Sequence, residues 1–164
     1  MFLDDIVLDA ADAARVIADR KGVRLEVADF EESPVDGDAA LLRQLAIILL
    51  DNAIKYTACG GLVSISVRSS AAGAALSVVD TGIGIDPVHL KHVFERFYRA
   101  DSSRTRDTSP HPSASEGVGL GLSIARWITE EHGGAITIES TPGTGTTVTV
   151  QLPPASAEPL VSSS

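Results

Sequence analysis

Two β-hairpin signatures separated by a long intervening segment constrain the fold of this chain more than any other feature. The first joins "LVSISVRS" (62–69) to "AALSVVD" (74–80) through a small-residue tip at Ser69 to Gly73; the second joins "AITIES" (135–140) to "TTVTVQL" (146–152) through "TPGTG". Each run alternates or is continuously apolar, which is strand patterning, and links this short return the chain antiparallel. Upstream, "LDDIVLDAADAARVIADRKG" places Ile6, Leu8, Ala13, Val16 and Ile17 near helical spacing, with Gly22 as a stop signal. "VRLEVADF" then reads as a period-two strand and "ESPVDGD" as a turn or short edge strand. Asp38 is placed to cap a second helix over about 39–57, ended by Gly60 and Gly61. Helices interleaved with antiparallel pairs predict an α+β fold, a two-layer sandwich of a mixed sheet backed by about three helices.

Composition bounds the rest. At 164 residues and 44% hydrophobic, the chain can bury one good core, so one domain is expected over residues 1–153. The Pro/Ser/Ala-rich end, "PPASAEPLVSSS", reads as a disordered tail over 154–164. A net charge of -9 without a Lys/Arg cluster argues against a nucleic-acid partner. The longest apolar run, "LAIILL", is far short of a membrane span, so no membrane contact is expected from this part of the protein. Cys59 stands alone and cannot form an internal disulfide, which points to a cytoplasmic setting.

Four stretches carry candidate chemistry. In "EGVGLGLSIARWITEEHGG" (116–134), Gly117, Gly119 and Gly121, with Val118 and Leu120 between them, lead into a helix with Ile124, Trp127 and Ile128. Bare backbone before a helix N-terminus suits an anion, because the first N–H groups there are unpaired; a plain hinge fits as well. On the second helix, Leu41, Leu42, Leu45, Ile48, Leu49, Asn52, Ala53 and Tyr56 recur at steps of three and four. Asn52 thus falls on or beside the apolar stripe, where Lys55 and Tyr56 could join it in presenting an amide, an ammonium and a phenol to one ligand. An asparagine bonded to backbone and a lysine in solvent is the plainer account. Asp80 ends a strand on the same face as Leu76 and Val78 and precedes "TGIGID"; it can read an exocyclic amine while Gly82 and Gly84 admit a flat ring, or it can cap its own turn. Finally "YRADSSRTRDTSPHPSASE" (98–116) lacks any apolar period and concentrates Arg99, Arg104 and Arg106 beside the glycine run, as a phosphate-binding lid or a solvated linker would.

Taken in order, "NAIKYT", "DTGIG", "FERFYRADSSRTR", "GVGLGLSIA" and "PGTGTT" resemble the catalytic ATP-binding domain of bacterial sensor histidine kinases, within the superfamily that includes gyrase, chaperone and mismatch-repair ATPases. The resemblance runs from about Leu3 to Pro153. It implies a Bergerat-type sandwich that holds ATP and Mg2+ under a lid. Asn52 would then be the magnesium ligand, Lys55 a phosphate contact and Tyr56 part of the nucleotide pocket. Asp80 would read adenine, and Gly82 and Gly84 would form the first glycine box. Phe94, Phe97 and Arg99 would form the phenylalanine box with its phosphate-directed arginine. Gly117, Val118, Gly119, Leu120 and Gly121 would close the lid, and Gly143, Gly145 and Thr146 would form the last box.

Two departures stand out. Ile48 occupies a place where the kinases usually carry another asparagine and the related ATPases a glutamate, and the lid holds "SPHPSASE" where a shorter glycine-rich segment is common. None of His89, His92, His111 and His132 lies in a phosphoacceptor segment of the type His-Glu-x-x-x-Pro. The resemblance therefore implies a partner domain that bears the histidine and dimerises, a response regulator beyond it, and a membrane-anchored parent kinase. Binding of nucleotide without transfer, and serine kinase or ATPase activity, are the alternatives.

Overall fold

The protein is seen in a computed structural model that describes residues 1–90, 92–95 and 113–156, with residues 113–120 described only as helical backbone. Helix α1 (Leu3–Lys21) leads to strand β1 (Arg24–Phe30), helix α2 (Ala39–Lys55), and the hairpin β2 (Leu62–Ser70) and β3 (Gly73–Asp80). A short helix α3 (Pro87–Leu90), helix α4 (Ser113–Glu131), and the hairpin β4 (Ala135–Thr141) and β5 (Gly145–Leu152) follow. The sheet order is β1-β2-β3-β5-β4, parallel at β1/β2 and antiparallel elsewhere. This is the expected mixed sheet in an α+β sandwich. One face, with Val63, Ile65, Val67, Leu76, Val78, Val148 and Val150, is sealed by α1, α2 and α4. The other presents Ser64, Ser66, Ser77 and Thr149, as period-two strands with one wet face should.

Local chemistry sets the helix ends. Asp38 accepts a hydrogen bond from the Leu41 N–H at 3.1 Å, capping α2 as predicted. At the other end the Lys21 Nζ donates to the Ile54 carbonyl at 2.9 Å, placing a cation on unpaired C-terminal carbonyls. The helix stops at Lys55, two residues before the expected Thr57, whose hydroxyl folds back onto the Ala53 carbonyl at 2.7 Å. Gly22 adopts φ 81° and closes α1.

Two expectations need correction, the buried face of α1 and the place of the glycine run. The buried stripe of α1 is Leu3, Val7, Ala10, Ala11, Ala14 and Ala18, while Leu8, Val16 and Ile17 are exposed. Alanines let α1 approach α2 closely, so the larger side chains sit on the outer face. Trp127 is 51% exposed although Ile128 beside it is fully buried. The glycine run does not precede a helix: α4 begins at Ser113 and contains Gly117, Gly119 and Gly121. Of the two readings of "ESPVDGD", the turn holds: it forms no strand of its own, and Pro34 makes an isolated antiparallel bridge to Phe2.

Helices α2 and α4 run antiparallel and are pinned at one end by His132. Its Nε2 accepts from the Asp38 N–H at 3.0 Å, which leaves Nδ1 as the donor to the Ile128 carbonyl at 2.8 Å. At the other end, a Cβ added to Gly121 would lie 3.4 Å from Ile48 Cγ2 and 3.7 Å from Asn52 Nδ2. The chain is described through Ser156, whose N–H and hydroxyl both donate to Asp36 at 2.7 Å and hold that carboxyl below its usual pKa.

Candidate functional site

Between α2, the end of β3, α3 and the β4/β5 hairpin lies a cavity of about 340 Å³. That is a volume typical of small-molecule sites, roughly 300–1,000 Å³. Its walls are mostly apolar, with Leu49, Ala53, Ile83, Ile85, Leu122 and Val148 among them, and the polar atoms come from Asn52, Tyr56, Asp80, Asp86, His89 and Thr146.

Asp80 sits where strand patterning delivers a carboxylate to the buried face, and it is 9% exposed. Its Oδ1 accepts from the Gly82 N–H at 2.8 Å and the Thr146 N–H at 3.3 Å. Oδ2 has no hydrogen bond among the described residues. Burial raises the Asp80 pKa, and the two N–H donors pull the other way without overcoming it. The carboxylate is therefore a desolvated acceptor, half satisfied by its own chain and half turned to the cavity. A ligand donor would complete it.

Asn52 carries the complementary sign of an incomplete site. Its Nδ2 is buried and has no hydrogen-bond partner among the described residues. An orphaned amide costs about 1–3 kcal/mol, so the unmet group points to a ligand or bound ion. A half-turn of the amide exchanges Oδ1 for Nδ2, and the oxygen could then serve a hard cation. No cluster of three His, Cys, Asp or Glu side chains occurs among the described residues. Asn52 can thus give one oxygen ligand, which fits Mg2+, an ion that keeps most of its coordination on phosphate and water.

The glycines are explained differently from the sequence reading. A Cβ on Gly82 would stand 2.3 Å from the Tyr56 carbonyl oxygen and 2.9 Å from Asp80 Oδ1. On Gly84, at φ 76°, it would meet the Thr141 carbonyl oxygen at 2.2 Å. The room these residues leave is filled by the chain's own backbone, so they clamp the loop beside Asp80 and do not themselves make space for a ring. Gly145 does the same from the opposite side, its Cβ position 2.0 Å from the Asp80 carbonyl oxygen.

Asn52, Tyr56, Asp80, Gly84 and Thr146 share the cavity, Gly82 stands directly beneath Asp80, and Gly121 packs beside Asn52. Lys55 is not in the wall; its Nζ lies 3.7 Å from Asp51. Phe97 and Arg99 lie outside the described residues, as does 98–112 of the expected lid 98–116, whose last four residues belong to α4; the side chains of Val118 and Leu120 are likewise not described. Among the described residues His89 and His92 belong to no group of three potential metal ligands, and His92 pairs with Glu95 at 2.7 Å. Sequence reasoning missed Ser140, whose Oγ receives the Ile85 N–H at 2.7 Å and bonds the Gly145 carbonyl at 3.0 Å and Thr146 Oγ1 at 2.8 Å. On the strand it reads as an ordinary serine; only the pairing of β4 with β5 brings it beside Thr146.

Residues 37–156 match the family described as histidine kinase-, DNA gyrase B- and HSP90-like ATPase. The chain belongs to this family. It is 43% identical over 151 residues to the sensor histidine kinase YkoH of Bacillus subtilis, a match covering 88% of this chain and 31% of that protein. Among solved structures, the ATP binding domain of PrrB from Mycobacterium tuberculosis superposes with a TM-score of 0.70 at 26% identity, covering 95% of this chain and 96% of that one. Full-length ShkA in complex with AMPPNP superposes with a TM-score of 0.78 at 26% identity, covering 96% of this chain and 31% of that one. The chain spans about a third of the length of the curated relatives it matches. As a histidine kinase-type ATPase domain it has the expected sheet and helices, and the cavity occupies the junction between them.

Proposed function

We propose that this domain binds Mg-ATP and passes the γ-phosphoryl group to a histidine on a separate, dimerising domain of the same kinase. The single observation that carries this reading is the convergence in one cavity of an acceptor with one unused oxygen, Asp80, and an orphaned amide, Asn52. In this reading Asp80 Oδ2 accepts a hydrogen bond from the adenine 6-amino group, and the ring lies among Leu49, Ala53, Tyr56, Ile83 and Ile85. Asn52 holds the metal through its amide oxygen. Mg2+ supplies neutralisation of phosphate charge. Lys55 and Arg99 are assigned to the phosphates, where positioning and charge stabilisation carry most of phosphoryl transfer. Phe97 and the segment Gly117, Val118, Gly119, Leu120 and Gly121 are assigned to closure over the nucleotide, and Gly82, Gly84 and Thr146 to the adenine end.

Residues 1–153 form one domain in this reading, with 154–164 as its tail, set on the cytoplasmic side of a membrane-anchored kinase that serves a response regulator. No described helix is long and apolar enough to cross a membrane. A second reading, nucleotide binding without transfer, rests on Ile48, which packs beside Asn52 and Gly121 and can neither accept a proton nor ligate a metal.

Calorimetry on the 164-residue chain tests the binding half. ATP is expected to bind more tightly with Mg2+ than with EDTA, and Asn52→Ala should abolish that difference while still binding the adenosine moiety. Equal binding with and without Mg2+ in the parent chain would count against the role given to Asn52.

A further inference from the structure

The hydrogen-bond polarity around Ser140 closes in one way. A serine hydroxyl offers one donor and two acceptor sites. The Ile85 N–H can only donate, so it takes one acceptor site at 2.7 Å. The Gly145 carbonyl can only accept, so it takes the Ser140 proton at 3.0 Å. What remains to Ser140 is one acceptor site, and Thr146 Oγ1 lies 2.8 Å away. Thr146 must therefore donate its own hydroxyl proton to Ser140, and its oxygen keeps only lone pairs for any further partner.

Thr146 lines the same cavity as Asp80, and its backbone N–H is bonded to Asp80 Oδ1. We propose that Ser140 is a specificity-determining positioning residue: by fixing the Thr146 hydroxyl as an acceptor, it sets a second acceptor beside Asp80, a pair that suits the protons of a 6-amino group and repels a 6-oxo group. The proposal rests on the nucleotide reading above. Ser140 contacts no ligand; it acts through Thr146. Without it, the Thr146 hydroxyl can turn its proton toward the cavity and donate to a 6-oxo group.

The test compares Mg-ATP with Mg-inosine triphosphate by calorimetry, using the ratio of the two dissociation constants. In the parent chain ATP should be favoured on the order of tenfold or more, the scale of one mismatched hydrogen bond. Ser140→Ala should shrink the ratio several-fold, chiefly by improving inosine triphosphate relative to ATP, and Ser140→Thr, which keeps the hydroxyl, should restore it. A merely structural role would weaken both nucleotides alike and leave the ratio unchanged, and that result overturns the proposal. If Ser140→Ala fails to fold, Thr146→Val gives the same decision: it must also shrink the ratio, and an unchanged ratio overturns the proposal. A parent chain that binds both nucleotides equally well overturns it too. One that binds neither overturns the nucleotide reading itself, so the two failures are distinguishable.

Discussion

At the scale of single residues, Asp80 makes the sharpest predictions. Asp80→Asn replaces an acceptor oxygen by a donor facing the adenine amine, and ATP binding should weaken by about 1–3 kcal/mol. ATP binding equal to that of the parent chain would remove Asp80 from the nucleotide site. Because burial raises this carboxyl above its ordinary 3.8, the folded chain keeps the proton at pH values where the unfolded chain has lost it. Stability therefore falls as pH rises from 3.8 through the raised value, and denaturation of Asp80→Asn should lack that part of the dependence. Nucleotide binding runs in the opposite sense. The ligand amine favours the ionised carboxylate, so affinity should grow over the same window and the asparagine variant should show no such growth. Ile48 makes a second prediction. Related ATPases use a glutamate there as the base for water, so the parent chain should hydrolyse ATP far more slowly than the roughly 10 per second typical of enzymes. Ile48→Glu should raise that rate in a phosphate-release assay, and fast hydrolysis by the parent would refute the argument. Phosphotransfer that appears only in Ile48→Asn would favour the reading without transfer. Asp80 and Asn52 could both be singled out in the sequence, because a polar residue at an apolar period stands out. Ser140 could not, since a serine on a period-two strand looks the same whether it faces solvent or a neighbouring hydroxyl.

At the scale of elements, the turns beside Asp80 separate conformational strain from crowding. Gly84 and Gly143 have nearly the same backbone, φ 76° and 82°, but a Cβ on Gly84 would collide with the Thr141 carbonyl whereas one on Gly143 would meet nothing within 4 Å. Gly143→Ala should cost only the left-handed backbone penalty, about 1–2 kcal/mol. Gly84→Ala must also displace the Thr141 carbonyl, so it should lower the melting temperature clearly further and weaken nucleotide binding; equal melting shifts would show that the close approach is not real. Strand patterning recovered β2, β3, β4 and β5 almost to the residue, because one face is buried and the other wet. Asp38 and Gly22 marked their helix ends for equally local reasons. The face of α1 was misassigned because its buried stripe is alanine, which hydrophobic periodicity weighs lightly. The start of α4 was misplaced because glycines are read as a break, and the structure carries the helix straight through them.

At the scale of the whole molecule, the hairpins, Asp80 and the Asn52 helix all meet at one cavity, a convergence set by sheet order, with β5 inserted between β3 and β4. That insertion brings Thr146 against Asp80 from 66 residues away. Sequence spacing could not supply this, and only the resemblance of the whole set of motifs pointed to it. None of the chain's four histidines, His89, His92, His111 and His132, lies in a His-Glu-x-x-x-Pro segment, and the proposed function accordingly draws its phosphoacceptor from a separate domain. The central claim is tested most directly by incubating the purified chain with γ-labelled ATP and Mg2+, alone and with a separately purified histidine-bearing helical hairpin domain. The expected result is acid-labile, base-stable label on the hairpin domain, lost when its histidine is replaced, and none on the chain alone. Label on the isolated chain, or no label on any histidine hairpin despite measured ATP binding, would contradict the account.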